Sequence, residues 1–226
     1  MKKIFSIAAI IAITTLSLKA QISEGYIIYD MKMEGLSSEE ASMMGDMETK
    51  MTFKNAKSLV EINSMVYTQQ ICMDEKGGML SLIEVMGNKM ATKMTKEEID
   101  KEASKSKEKN IVPKIEYTSE TKTIAGYECK KAIISYSTKD KKEVKNDVWY
   151  CDKFANQNMN SGRGQSLYKD IKGLIFEFTN EQSGRKMKMV AKEVSVDPVS
   201  DSKFNLSTDG YKLMTMEELK AMQGGK

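Results

Sequence analysis

The sequence contains no histidine, and this absence removes several kinds of active site at once. Histidine is the side chain whose ordinary pKa lies nearest neutrality, and it is the commonest metal ligand. Without it, no Ser-His-Asp or Cys-His catalytic arrangement can form. The three cysteines are too scattered in the chain to make a zinc-binding pattern. We therefore expect a protein that is not an enzyme, with no catalytic residue, no metal ion and no cofactor.

Proline is scarce as well, and only Pro113 and Pro198 occur. No segment rich in proline, glycine or serine divides the chain, so we expect a single domain over residues 21–226. After residue 20 the chain has no long apolar run, which predicts no transmembrane span in the mature protein. The segment Gly162-Arg163-Gly164 lacks the spacing of a phosphate-binding loop.

The first 20 residues have the features of a cleaved signal peptide. Lys2 and Lys3 give a basic start, and Ile4 to Leu16 is an apolar run too short to span a bilayer. Ser17 to Ala20 is the predicted cleavage region. Lipoprotein processing requires a cysteine after the apolar run, and because none is present there we do not expect it. We predict a periplasmic or secreted protein. The alternative is that this segment is retained as a membrane anchor.

The charge of the chain argues against a nucleic-acid partner. The formal net charge is +3, and removal of the signal peptide takes away Lys2, Lys3 and Lys19, which leaves a mature chain of no net charge. A general nucleic-acid binder needs an excess of positive charge to neutralise phosphates. We therefore expect no nucleic-acid partner.

Period-two alternation of apolar side chains predicts a chain made mainly of strands. In the segment from Gly25 to Met33, the side chains of Ile27, Tyr29, Met31 and Met33 share one face. We expect an all-β-dominated fold, a curved antiparallel sheet of roughly eight to eleven strands or a half-barrel, with two or three short helices. The other strands that we delimit are Met51 to Lys54, Leu59 to Asn63, Ser64 to Met73, Met79 to Val85, Lys89 to Met94, Tyr127 to Ser137 and Val144 to Tyr150.

Three capping boxes, each with a serine or threonine three residues before a glutamate, predict the helix starts. They begin at Ser37, Thr95 and Thr215. Paired glutamates in a first helical turn interact favourably with the helix dipole. We therefore interpret these glutamates as helix caps and not as general acids or bases.

One predicted hairpin brings two cysteines together. The strand that begins at Tyr127 is followed by a polar run centred near Asp140 and by a second strand. A turn at that centre puts Cys129 directly opposite Cys151, because the turn fixes the register of an antiparallel pair. In an oxidising compartment this arrangement favours a disulfide and leaves Cys72 free, while two buried free thiols are the alternative.

The same region resembles a motif of known exported proteins. It reads TIAGYECKKA over Thr123 to Ala132, WYC over Trp149 to Cys151 and GLIFEF over Gly173 to Phe178. This order of motifs is similar to that of uncharacterised cell-envelope proteins of Gram-negative bacteria, classed as domains of unknown function. The resemblance covers Tyr117 to about Tyr211. It implies a fold related to the LolA/LolB lipoprotein carriers, with a curved sheet and helices around an apolar cavity, and it implies no catalytic residues.

Methionine is abundant, with 19 residues, and its unbranched, polarizable side chain adapts to ligands of irregular shape. Alternation predicts a concave apolar face suited to a lipid or to the acyl chain of a lipoprotein. The polar loop from Asn156 to Gln165 is a candidate gate to this face. The residues predicted to line the cavity are Met31, Met33, Trp149, Leu174, Phe176, Phe178, Met187 and Met189.

Other interpretations of the methionines remain open. Thioethers bind Cu(I), and Met43, Met44, Met47 and Met51 are closely spaced in the sequence. Core packing without any ligand is the simplest interpretation. At the level of function, the alternatives to apolar-ligand binding are an envelope stress-sensing or interaction module that binds a partner protein, and Cu(I) binding.

Overall fold

The computed structural model describes residues 21–38, 47–105, 112–137, 143–157, 167–182 and 185–224. The predicted signal peptide, nearly all of the predicted helix after Ser37, and most of the loop from Asn156 to Gln165 lie outside the described residues.

Within the described residues, 12 strands form one sheet. Two α-helices, α1 (Lys96–Lys105) and α2 (Met216–Gly224), and a short 3-10 helix (Asp201–Phe204) accompany it. The strands are β1 (Glu24–Glu34), β2 (Met47–Lys54), β3 (Lys57–Asn63), β4 (Tyr67–Met73), β5 (Met79–Val85), β6 (Asn88–Met94), β7 (Lys114–Ile124), β8 (Tyr127–Ser137), β9 (Glu143–Cys151), β10 (Leu174–Gln182), β11 (Arg185–Ser195) and β12 (Lys212–Leu213).

The sheet is open, with strand order β12-β6-β5-β4-β3-β2-β1-β11-β10-β9-β8-β7. Its pairs are antiparallel except for β12 beside β6, which is parallel. Strands β7 and β11 contact each other although three strands lie between them, so this half of the sheet curls. The predicted mainly β fold class is confirmed. The predicted number of strands was too low, because the edge strand β7 and the two-residue β12 were not delimited.

The predicted hairpin that contains Cys129 and Cys151 is formed by β8 and β9. Gly126 occupies the turn before β8 with φ of 80°, a left-handed conformation that glycine adopts at little cost. Across the next turn, Lys130 of β8 pairs with Tyr150 of β9, which is the predicted register. Just before β10, the backbone at Gly173 lies so close to that of Cys151 that a side chain does not fit, because a Cβ atom there would lie 2.3 Å from the Cys151 carbonyl oxygen.

Two of the three predicted capping boxes are present in the described residues. Before α1, the backbone N–H of Thr95 donates to Glu98 Oε2 at 2.8 Å and the N–H of Glu98 donates to Thr95 Oγ1 at 3.3 Å. Thr215 and Glu218 make the same reciprocal pair before α2, and the N–H of Thr215 lowers the pKa of the Glu218 carboxyl. These glutamates are helix caps, as the sequence predicts.

The core contains one cluster of buried side chains around β1, β2 and β8 to β11. In β1, Ile27 and Tyr29 have no exposed surface, which confirms the predicted alternation. The Tyr29 hydroxyl donates to the carbonyl oxygen of Ile175 at 2.8 Å, so its polar atom is satisfied inside the core. No helix in the described part of the chain is long and apolar enough to cross a membrane.

Candidate functional site

Four neighbouring strands place uncharged side chains on one face of the sheet. Met31 of β1 lies opposite Met47 of β2 and Met189 of β11, and Met189 lies opposite Phe178 of β10. This row crosses three inter-strand spacings, or about 14 Å. We name this side of the four strands the methionine face, and its members are Ile27, Tyr29, Met31, Met33, Met47, Thr49, Met51, Phe53, Phe178, Met187, Met189 and Ala191.

Burial changes along this face. Tyr29, Met51 and Phe53 are at most 1% exposed and form its packed end. Towards the other end of β1 the side chains are only partly buried, and we name this part the open end, formed by Met31, Met33, Met47 and Met187. These members are all uncharged, and the charged residues of β1 and β2 alternate to the opposite side. Arg185, at the start of β11, pairs with Gln182 and belongs to the same alternation as Met187. The methionine face is therefore a mainly apolar surface that is solid at one end and less covered at the other.

Five of the predicted cavity residues come together on this face. Met31 with Met189 and Met33 with Met187 are direct cross-strand pairs of β1 and β11. Phe178 pairs with Met189 from the other side. Directly opposed side chains in an antiparallel pair are in contact distance, so the methionines from distant parts of the sequence form one surface.

Leu174 does not share the face of Phe178, which corrects the predicted placement of that residue. Leu174 pairs with Cys151 and Phe178 pairs with Val148, so β10 has one residue more than β9 over this stretch. Such a β-bulge reverses which side of the sheet the following residues face. Phe176 is the residue that the bulge leaves without a partner in β9. It has no exposed surface, and its ring lies 5.6 Å from that of Phe154, which lies 6.4 Å from the ring of Phe53 at the packed end of the face.

Trp149 also lies outside the methionine face. It pairs with Glu177 and with Lys131, whereas its neighbour Val148 pairs with Phe178. Its ring lies under the ammonium group of Lys122, 4.1 Å from the ring centroid, and Lys122 in turn pairs with Glu177 at 2.6 Å. Alternation along β9 explains the difference, because Val148 and Trp149 must point to opposite sides. Trp149 is therefore part of a charged surface and not part of the predicted cavity lining.

The four methionines predicted as a Cu(I) site are not brought together as far as they are described. Met47 and Met51 lie on the same side of β2, four residues or about 13 Å apart, with Thr49 between them. Met43 and Met44 lie outside the described residues. Among the described residues, no group of three or more His, Cys, Asp or Glu side chains is arranged to hold a metal ion.

A segment before β10 packs against the end of the row. Tyr168 is 9% exposed and its ring lies 5.4 Å from that of Phe178. The Asn156 side-chain amide donates to three backbone carbonyl oxygens, those of Tyr168 at 3.3 Å, Lys169 at 3.1 Å and Ile171 at 2.8 Å. Asn156 thus fixes this segment to the chain after β9, although most of the predicted gate loop lies outside the described residues.

Two buried hydroxyl groups along the methionine face have no hydrogen-bond partner among the residues that the structure describes. They are Thr49 Oγ1, in a residue that is 2% exposed, and the phenol of Tyr168. Burial raises the pKa of the Tyr168 phenol above its ordinary value. Buried hydroxyls are usually hydrogen-bonded, so each of these is an exception that needs a reason. Neither residue was predicted from the sequence. The one signal was that Thr49 shares the period-two alternation of Met47 and Met51, which places it on their side of β2.

The predicted cysteine register is confirmed, and the cysteines themselves are free thiols in the structure. Cys129 and Cys151 occupy the position next to the Lys130–Tyr150 pair, and neither has exposed surface. A hydrogen bond between the two sulfurs raises the pKa of Cys129 and lowers that of Cys151. The predicted disulfide remains a prediction about the oxidised protein.

A groove lies away from the methionine face, between the ends of β4 to β6 and the chain at the end of the 3-10 helix. This groove measures about 390 Å³, and the buried Cys72 thiol donates to the carbonyl oxygen of Phe204 at its wall. Asp74 and Lys93 bring charged groups to the same groove. None of the predicted cavity residues lines it.

No protein-family model and no curated protein matches the chain. Among solved structures, the chain is similar to PNGF-II with a TM-score of 0.50 and 16% identity, over 88% of this chain and 33% of that one. It therefore spans about a third of the length of PNGF-II, and at this identity the similarity concerns the fold alone. The chain is also similar, with a lower TM-score of 0.35 and 8% identity, to lipoprotein LppX of Mycobacterium tuberculosis, over 78% of this chain and 89% of that one. A beta-barrel-like protein of a domain of unknown function from Brucella abortus is similar with a TM-score of 0.34 and 9% identity, over 77% of this chain and 98% of that one. The resemblance to LolA/LolB carriers stays a prediction.

Proposed function

We propose that this protein is a non-enzymatic, exported envelope protein that binds an apolar ligand, such as a lipid or an acyl chain, at the open end of the methionine face. The observation that carries the proposal is the open end itself, where Met31 pairs with Met47 and Met33 pairs with Met187 across β2, β1 and β11. All four side chains are only partly buried. A ligand laid over them removes its own apolar surface from water, which contributes about 0.8 kcal/mol for each buried methylene group.

The choice of side chains supports a ligand surface over simple packing. The packed end contains Tyr29, Phe53 and the completely buried Met51, whereas all four side chains of the open end are methionines that are only partly buried. Methionine has three rotatable side-chain bonds and refits to differently shaped partners. Phe176, which is completely packed, supports the site from the core and does not contact the ligand in this proposal.

Replacement of Met33 by aspartate is expected to abolish binding of the neutral apolar dye Nile red. The substitution places a carboxylate among the methionines of the open end, where desolvation of the charge opposes ligand burial. Dye fluorescence titrated against folded protein measures the effect. Lys32→Asp is the matched control, because Lys32 is exposed on the opposite face of the same strand and its replacement should leave the affinity unchanged.

The proposal is wrong if wild-type protein binds neither Nile red nor any acyl compound while remaining folded. Native mass spectrometry of protein extracted under mild conditions separates the alternatives. A retained lipid supports the proposal, a retained copper ion supports the Cu(I) interpretation, and an unliganded chain that co-purifies with an envelope protein supports the interaction module.

Export predicts a definite mature terminus. Protein collected from the periplasm or medium should have an intact mass that begins at Gln21, with or without cyclisation of that glutamine, because the basic start and apolar run precede Ala20. Protein that retains Met1 in the exported fraction would contradict cleavage and support a retained membrane anchor.

A further inference from the structure

The unpartnered phenol of Tyr168 lies where the methionine row meets the segment before β10. Its ring contacts Phe178, the last member of the row, and its buried hydroxyl has no hydrogen-bond partner within the described part of the chain. Thr49 carries the other unpartnered hydroxyl, but it lies opposite the fully buried Tyr29 and beside Ile62, within the packed part of the face. Of the two, Tyr168 is therefore the one at the end of the proposed ligand path.

The surroundings of Tyr168 select the charge of any group that reaches it. The basic residue at a position on this side of β11 is Arg185, which pairs with Gln182 and lies four residues, or about 13 Å, from Met189 and Phe178. The lysines of β1 and β11 belong to the opposite side, where Lys188 pairs with Glu177 and Lys192 pairs with Asp30. A buried carboxylate without a cationic partner is strongly disfavoured. A neutral hydrogen-bond acceptor does not carry this penalty.

We propose that the apolar ligand carries an uncharged polar group, an ester carbonyl or an alcohol, and that the Tyr168 hydroxyl donates a hydrogen bond to its oxygen. This inference rests on the proposed function, since it names the class of ligand for the same face. It assigns Tyr168 as a specificity residue: the methionine row binds the chain, and the phenol selects neutral lipids or esterified acyl chains over free fatty acids.

The ligand must displace side chains to reach the phenol. In the structure the Tyr168 oxygen has less than 1 Å² of accessible surface. The residues between it and the open end are Phe178 and the methionines of β11 and β1, which are unbranched and can change rotamer without backbone movement. The hydrogen bond to the ligand then satisfies a group that is unsatisfied in the empty protein.

Removal of the phenolic oxygen should separate stability from binding. Tyr168→Phe deletes an unsatisfied buried group, so its melting temperature should equal or exceed that of wild type. Tyr29→Phe is the matched control for the same chemical change, because the Tyr29 hydroxyl is bonded to Ile175, and its loss should lower the melting temperature. Thermal unfolding of the two variants measures the difference.

The ligand test uses an alcohol, a methyl ester and a carboxylate of one medium chain length, titrated by calorimetry. Wild type should prefer the alcohol and the ester to the carboxylate. Tyr168→Phe should bind the ester about five- to tenfold more weakly, the usual effect of one lost neutral hydrogen bond, while Nile red binding stays unchanged. Thr49→Val should retain the wild-type preference, because Thr49 lies in the packed part of the face.

The possible failures are distinguishable. Equal ester affinity in wild type and Tyr168→Phe, with Nile red still bound, overturns the assignment of Tyr168 and leaves the proposed function standing. A wild-type preference for the carboxylate also overturns the assignment. If folded wild type binds neither dye nor ester, the proposed function fails, and the inference fails with it.

Discussion

Reduction of the exported protein is expected to lower its melting temperature by roughly 6–12 °C, because it breaks a disulfide between Cys129 and Cys151 that is worth about 3 kcal/mol. The value follows from the loop of about 20 residues that the bond closes in the unfolded chain. The two thiols are buried and directly opposed in the hairpin, so the bond requires little adjustment of the backbone. Its formation removes one hydrogen atom from each thiol and needs an oxidised disulfide partner in an oxidising compartment.

The comparison needs no substitution, because the same protein is measured before and after reduction. Non-reduced peptide mapping should give one linked pair of peptides containing Cys129 and Cys151. Cys72→Ala is the control variant and should keep both the linkage and the temperature difference, since Cys72 is a separate buried thiol beside Phe204. A linkage through Cys72, or three alkylatable thiols in protein exported under oxidising conditions, would contradict the prediction.

The parts of the fold that sequence analysis predicted are those with strong local signals. The hairpin of β8 and β9 was predicted with its register because a polar turn separates two strands rich in β-branched and aromatic residues. The helices α1 and α2 were predicted because their capping boxes are complete in sequence. Strand β7 lacked such a signal: it is an edge strand that alternates weakly and contains mostly polar residues between Glu116 and Thr123.

Five of the eight residues predicted to line the cavity lie on the methionine face, and alternation along one strand could not reveal that Leu174 does not. A β-bulge depends on an extra residue relative to the neighbouring strand, so the sequence of β10 alone does not show that Leu174 and Phe178 face opposite ways. The side of the sheet that Trp149 faces could have been predicted from β9 alone. Its neighbours Val148 and Tyr150 are both buried, so alternation places Trp149 on the other side. The unpartnered state of Tyr168 depends on tertiary contacts and has no signal in the sequence.

The packed end of the core gives the second large effect. Phe176→Ala is expected to lower the free energy of unfolding by about 3–5 kcal/mol, the usual cost of a fully buried phenylalanine, because the cavity left by the ring cannot be filled by its neighbours. The ring has no exposed surface and packs against the rings of Tyr127 at 5.7 Å and Phe154 at 5.6 Å. Urea denaturation followed by the fluorescence of Trp149, the single tryptophan, measures the change.

Met33→Ala is the matched control and should behave in the opposite way. Met33 is partly buried at the open end, so its replacement should cost about 1 kcal/mol in stability and still weaken binding of Nile red. Phe176→Ala should leave the dye affinity of the remaining folded protein unchanged, because the ring is completely buried and packs through Phe154 against Phe53 at the packed end. The reverse result, a small stability loss with lost dye binding for Phe176→Ala, would show that Phe176 lines the cavity as its sequence position first suggested, and would move the ligand from the open end into the core.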